Sequence, residues 1–90
     1  MSTAIQEATM APEITIRQAT TADAFALRRL AALDDRAALH GDVLIAEQAG
    51  EIRAALSVED DRTVANPFAP TATLVELLRG YRAFAASVAA

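Results

Sequence analysis

Val43-Leu44-Ile45-Ala46 restricts this chain more than any other stretch. Four consecutive apolar residues, with β-branching at two of them, predict a strand covered on both faces and therefore central in its sheet. Glu47 closes that strand. Gln48-Ala49-Gly50-Glu51 follows as a tight turn, in which Gly50 takes positive φ at no steric cost. Residues 52–58 are the returning strand, and strict alternation places Ile52, Ala54, Leu56 and Val58 on one face. Glu59-Asp60-Asp61-Arg62 then makes a second turn and Thr63-Val64-Ala65 a short further strand.

The flanks supply a strand and two helices. Ile14-Thr15-Ile16-Arg17-Gln18-Ala19 alternates apolar and polar side chains, the period of a half-buried strand. Thr20 and Asp23 match a capping box, each side chain satisfying a backbone N–H of the first helical turn. The helix after it runs to about Asp34, with Ala24, Leu27, Leu30 and Ala31 on one stripe. Residues 36–42 form a loop with a helical turn at Ala37-Ala38-Leu39. Pro67 and Pro70 cannot donate ladder hydrogen bonds, so the sheet ends there. Thr71 caps a last helix whose stripe is Leu74, Leu77, Leu78, Tyr81, Phe84 or Ala85, and Val88. Gly80 inside it costs about 1 kcal/mol against alanine and marks a place to fray or bend. The fold class is α+β, in the order β-α-β-β-β-α, an antiparallel sheet with helices packed on it and the first strand at its edge. Residues 1–13 read as a flexible tail and residues 14–90 as a single domain.

Composition narrows the function classes. The chain has 90 residues and 53% apolar side chains, but alanine supplies much of that share. With three Phe, one Tyr and no Trp, the core is short of large side chains, which points to a partner surface, most simply a second copy. No cysteine is present, so disulfides, thiolate metal sites and cysteine nucleophiles are excluded. A net charge of −4 with scattered acids gives no footprint for nucleic acid. All eight basic residues are arginine, a bias that reads as a GC-rich bacterial genome. The apolar run 83–90 is far below the roughly 20 residues of a membrane span, and residues 1–11 have no secretory pattern. A cytoplasmic location is the expectation.

Two segments resemble a known family. Ile16-Arg17-Gln18-Ala19-Thr20-Thr21-Ala22-Asp23-Ala24 is similar to the opening "I-R-x-A-T-x-x-D-A" of the GNAT (Gcn5-related N-acetyltransferase) fold. Val43-Leu44-Ile45-Ala46-Glu47 with Gly50-Glu51-Ile52-Arg53-Ala54-Ala55-Leu56-Ser57 resembles its "V-A-E-x-x-G-E-I-x-G" hairpin. The resemblance covers residues 14–65 and implies the N-terminal half of that fold. In the family the fourth strand leads into an "R/Q-x-x-G-x-G/A" loop whose backbone N–H groups hold the cofactor pyrophosphate. Here Arg62-Thr63-Val64-Ala65-Asn66-Pro67-Phe68-Ala69-Pro70 stands instead, with no glycine and two prolines. The resemblance thus implies a half-domain truncated before its cofactor apparatus.

Each candidate site has a bland reading beside its functional one. Glu47 is a general base if it borders a cleft; otherwise it faces solvent or pairs with Arg53 across the hairpin. His40, the single histidine, has no second metal ligand spaced with it and reads as a solvated loop residue. Tyr81 can mimic a catalytic phenol, but its stripe makes it a core or interface residue. Thr71 and Thr73 open a helix and can face an anion, though capping alone explains Thr71. Asp34-Asp35 and Glu59-Asp60-Asp61 read as solvated turn carboxylates rather than a divalent-metal site. Phe68, held between two prolines, plugs the open end of the sheet or anchors a partner, with intramolecular packing the favoured reading.

No catalytic, cofactor-binding or metal residue is therefore assigned. The interface candidates are Phe68, Leu74, Leu77, Leu78, Tyr81, Phe84 and Val88. The expected function is that of a non-catalytic acetyltransferase-like module that homodimerises or binds another protein. The alternative is an N-acetyltransferase that uses acetyl-CoA at a site completed across a dimer. A small regulatory subunit of a complex is a third reading.

Overall fold

The computed structural model describes residues 13–89, and of Ala86, Val88 and Ala89 the backbone only. The reading of 1–13 as a flexible tail lies outside the described residues except at Glu13. Strand β1 (Ile14–Gln18) is followed by a 3-10 turn (Thr21–Asp23) and helix α1 (Ala24–Leu33). Strands β2 (Val43–Gln48), β3 (Glu51–Ser57) and β4 (Thr63–Ala65) and helix α2 (Ala72–Ala89) complete the order. The four strands form one antiparallel sheet in sequence order, β1-β2-β3-β4.

The two helices lie on opposite faces, which is why β2 is apolar throughout. Val43 and Ile45 join Leu30 and Ala31 of α1, Ala55 and Val64 in one buried cluster. Leu44 and Ala46 join Ala54, Leu56, Leu74 and Leu78 in the other, with Ile16 of β1 packed beside them. Each fully buried leucine contributes roughly 1.5–3 kcal/mol relative to its exposed state. Alanines 46, 54 and 55 are fully buried, so the helices approach the sheet closely at its middle.

Two local features depart from the pattern read in the sequence. The β2–β3 register skips Arg53: Ala46 pairs with Ala54 but Glu47 with Ile52. This β-bulge reverses the facing of the strand before it, so Ile52 packs on the α1 side while Leu56 and Val58 serve the α2 side. Four residues expected on one face are divided between two. The turn at Ala37-Ala38-Leu39 is not helical. Arg62 explains its extended course, donating to the carbonyls of Ala37 and Ala38 at 3.4 and 3.0 Å.

The turns carry more left-handed backbone than glycine accounts for. In the β2–β3 hairpin Gly50 has φ 79° as expected, but Ala49 also has φ 56°. Positive φ at both central residues is the signature of a two-residue type I′ turn, whose twist matches the strands it joins. Helix α1 ends with Asp35 at φ 55°. The Arg36 N–H reaches the Ala31 carbonyl and the Asp35 N–H the Ala32 carbonyl, the paired bonds of a Schellman motif with aspartate in the glycine position. Helix α2 continues through Gly80 without interruption. No helix among the described residues is long and apolar enough to cross a membrane.

Candidate functional site

A three-residue polar network forms at the α1 side of β1. Period-two alternation puts Arg17 and Glu47 on that face, and the β1–β2 register sets them diagonally: Arg17 opposes Ile45 and Glu47 opposes Thr15. The capping box forms as expected, the Thr20 N–H donating to Asp23 Oδ2 at 2.7 Å. The same carboxylate takes both terminal nitrogens of Arg17, each at 2.9 Å. Arg17 Nη2 also donates to Glu47 Oε2 at 3.1 Å. Such a fork-to-carboxylate pair is the strongest geometry available to arginine. The Arg17 guanidinium, followed by the Thr20 N–H, holds the Asp23 carboxyl well below the ordinary aspartate range. Asp23 and Glu47 in turn raise the Arg17 guanidinium above its usual value.

This network borders an open cleft of about 510 Å³ between α1 and the β2–β3 hairpin, walled by Leu30, Leu33 and Ile52 and rimmed by Arg29 and Glu51. Glu47 therefore does lie beside a concavity, although its Oε2 is engaged by Arg17. The expected Glu47–Arg53 pair is absent; Arg53 instead meets Glu51 at 3.3 Å, because the bulge takes it out of register with Glu47.

Other candidates have structural duties. Asp34 and Asp35 diverge: Asp35 is the left-handed helix end, whereas Asp34 Oδ2 accepts the Ala65 N–H at 3.0 Å and meets Arg36 at 3.3 Å. Asp61, expected to be merely solvated, pairs with Arg79 at 3.0 Å and Arg82 at 3.8 Å and so ties the β3–β4 turn to α2. Arg82 Nε adds a bond to the Val58 carbonyl at 2.8 Å. The side chain of His40 is exposed, and its carbonyl accepts the buried Ser57 hydroxyl at 3.2 Å. No group of three His, Cys, Asp or Glu suited to a metal ion occurs among the described residues. Thr71 opens α2 through its carbonyl, which accepts the Val75 N–H at 3.0 Å.

The β4–α2 link is closed on itself. Pro67 and Pro70 lack N–H groups; the Phe68 N–H goes to Asn66 Oδ1 at 2.8 Å and the Ala69 N–H to the Asn66 carbonyl at 3.3 Å. Phe68 does not plug the sheet: its side chain is 81% exposed, since the Asn66 turn and the flanking prolines aim it outward. The intramolecular reading of Phe68 is thereby overturned. The remaining interface candidates divide. Leu74 and Leu78 are buried against the sheet of their own chain, which removes them from any outer contact surface. Leu77, Tyr81 and Phe84 remain 44%, 46% and 66% exposed. The side chain of Val88 lies outside the described residues.

Helical geometry explains the division. Arg79 and Arg82 occupy one flank of α2 and are held at the β3–β4 turn, so Leu77, Tyr81 and Phe84 fall on the opposite flank, toward β1. Between the two flanks Tyr81, Arg82 and Ala85 line, with Gln18, Asp42, Leu44 and Val58, a second, mainly apolar hollow of about 400 Å³. The comparisons add no relative: no protein-family model, characterised protein or solved structure matches the chain. Sequence reasoning missed the Arg17–Asp23–Glu47 network and the Asp34–Ala65 bond. Alternation in β1 together with the capping-box aspartate was a usable signal for the first; nothing local signalled the second.

Proposed function

We propose that this protein is a non-catalytic, GNAT-like domain of a bacterial cytoplasm that acts by association, first with a second copy of itself. The observation that carries the reading is the uncharged flank of α2, where Leu77, Tyr81 and Phe84 stay in water beside fully occupied core positions. Contiguous exposed apolar side chains on a small domain mark a contact surface. Closed geometry at the β4–α2 link supports the non-catalytic half of the proposal. An N-acetyltransferase completed across a dimer needs backbone donors there for a pyrophosphate, and in this link Pro67 and Pro70 have none while Asn66 takes those of Phe68 and Ala69.

Light scattering behind size exclusion tests association: a dimer mass at micromolar concentration is expected, and Leu77→Glu should shift it toward the monomer. A wild-type monomer under those conditions refutes the proposal. Calorimetric titration with acetyl-CoA tests the enzymatic alternative. No heat is expected, and saturable one-to-one binding would reinstate it.

A further inference from the structure

The sheet has two edges, and they are finished differently. On β4 the bonds from Ser57 to the Arg62 carbonyl and from Asn66 to the Arg53 carbonyl show that even-numbered residues pair with β3, so Thr63 and Ala65 point outward. The outward Ala65 N–H is taken by Asp34. On β1 the Ala19 N–H bonds the Val43 carbonyl, so 15, 17 and 19 pair with β2, and Ile14, Ile16 and Gln18 turn their backbone groups outward. No hydrogen bond among the described residues reaches those three N–H groups; of the three carbonyls, only that of Gln18 has a contact, from Arg17 at 3.3 Å.

Natural sheets guard such an edge with lysine, proline, glycine-rich bulges or inward charge. Strand β1 has none of the first three. Its one charge, Arg17, lies on the α1 face, paired with Asp23 and Glu47, and touches the edge only at the Gln18 carbonyl. Among the described residues the N–H groups of Ile14, Ile16 and Gln18 and the carbonyls of Ile14 and Ile16 are left open.

We infer that two copies of the chain associate by antiparallel pairing of β1 with β1 about a two-fold axis at Ile16, joining two sheets into one of eight strands. The inference rests on the proposed self-association and names its seam. The register follows from the outward residues. Ile16 faces Ile16 of the second copy and Ile14 faces Gln18, so all six outward groups of each strand find partners. Arg17 then faces Thr15 of the second copy, so no like charges stand directly opposite, and each guanidinium is held by its own Asp23 and Glu47. A two-fold at Arg17 would instead oppose two guanidiniums. The seam also brings the two uncharged α2 flanks to the same face of the joined sheet, beside Ile16. That self-complementarity selects a second copy over an unrelated strand.

The test measures the dimer dissociation constant by sedimentation for wild type and four variants, with circular dichroism as the check on folding. T15K places a lysine opposite Arg17 of the second copy twice over and should weaken the dimer about tenfold. T15E should leave it unchanged or tighter. Ile14→Pro removes an outward N–H that serves no bond among the described residues and should weaken it several-fold. The Ile16 and Gln18 amides should exchange slowly in the wild-type dimer and rapidly in T15K. A dimer unaffected by T15K and Ile14→Pro but abolished by Leu77→Glu overturns β1 pairing while the α2-flank reading survives. A wild-type monomer overturns both.

Discussion

The two helices solve the same packing problem with different surfaces left over. Helix α1 is held at both ends by carboxylates: Asp23 grips Arg17 of β1 before its first turn, and Asp34 grips the Ala65 N–H past its last. Its outward residues mix charge with apolar surface: Arg28 and Arg29 stand beside Phe25 and Leu33, which are 66% and 44% exposed. Helix α2 is held along one flank by Arg79 and Arg82, and its other flank carries Leu77, Tyr81 and Phe84 without a charge. What sets α2 apart is that its exposed apolar side chains share one flank free of charge, opposite the arginines that hold it, and that flank is where association should be sought.

The sharpest break of that comparison is in the core. Leu78 is fully buried under α2 whereas Leu77, its neighbour, is 44% exposed. Leu78→Ala should cost about 3 kcal/mol in chemical denaturation, and Leu77→Ala well under half of that in the monomer. Equal losses would show that Leu77 is core. Acid probes the α1 end next. Because the folded-state Asp23 carboxyl is held below its unfolded value, its contribution is complete above the ordinary aspartate range, near pH 4. It fades as the pH falls through and below that range. Asp23→Asn should therefore destabilise at neutral pH and flatten the acid limb below about pH 4.

Asp34→Ala leaves the Ala65 N–H without its acceptor and should cost about 1–2 kcal/mol by thermal unfolding. The smallest effects sharpen the comparison by gain. Asp35→Gly and Ala49→Gly each relieve a left-handed backbone and should add up to about 1 kcal/mol. A loss at Ala49 would mean that stiffening of the unfolded chain outweighs local strain there.

The strand order and both helices were legible because Val43–Ala46 and the Leu74–Leu78 spacing state their periods without ambiguity. Edge placement of β1 followed from alternation in Ile14–Gln18. The bulge at Arg53 was hidden, since a single extra residue leaves Ile52, Ala54 and Leu56 looking like one face. Asp34 and Asp61 were read as solvated because their partners, Ala65 on one side and Arg79 on the other, are distant in sequence. Phe68 misled for another reason: between prolines its backbone is rigid, but rigidity says nothing of direction, and the Asn66 side chain sets that.

The carboxylate of Asp34 has a consequence for how large any assembly can grow. A molecule able to add strands on two sides has no built-in last member and lengthens without limit. Under the proposed β1 pairing, each outer rim of the joined sheet is a β4 whose Ala65 N–H is already engaged by Asp34, so a third copy meets an occupied donor where the second met open ones.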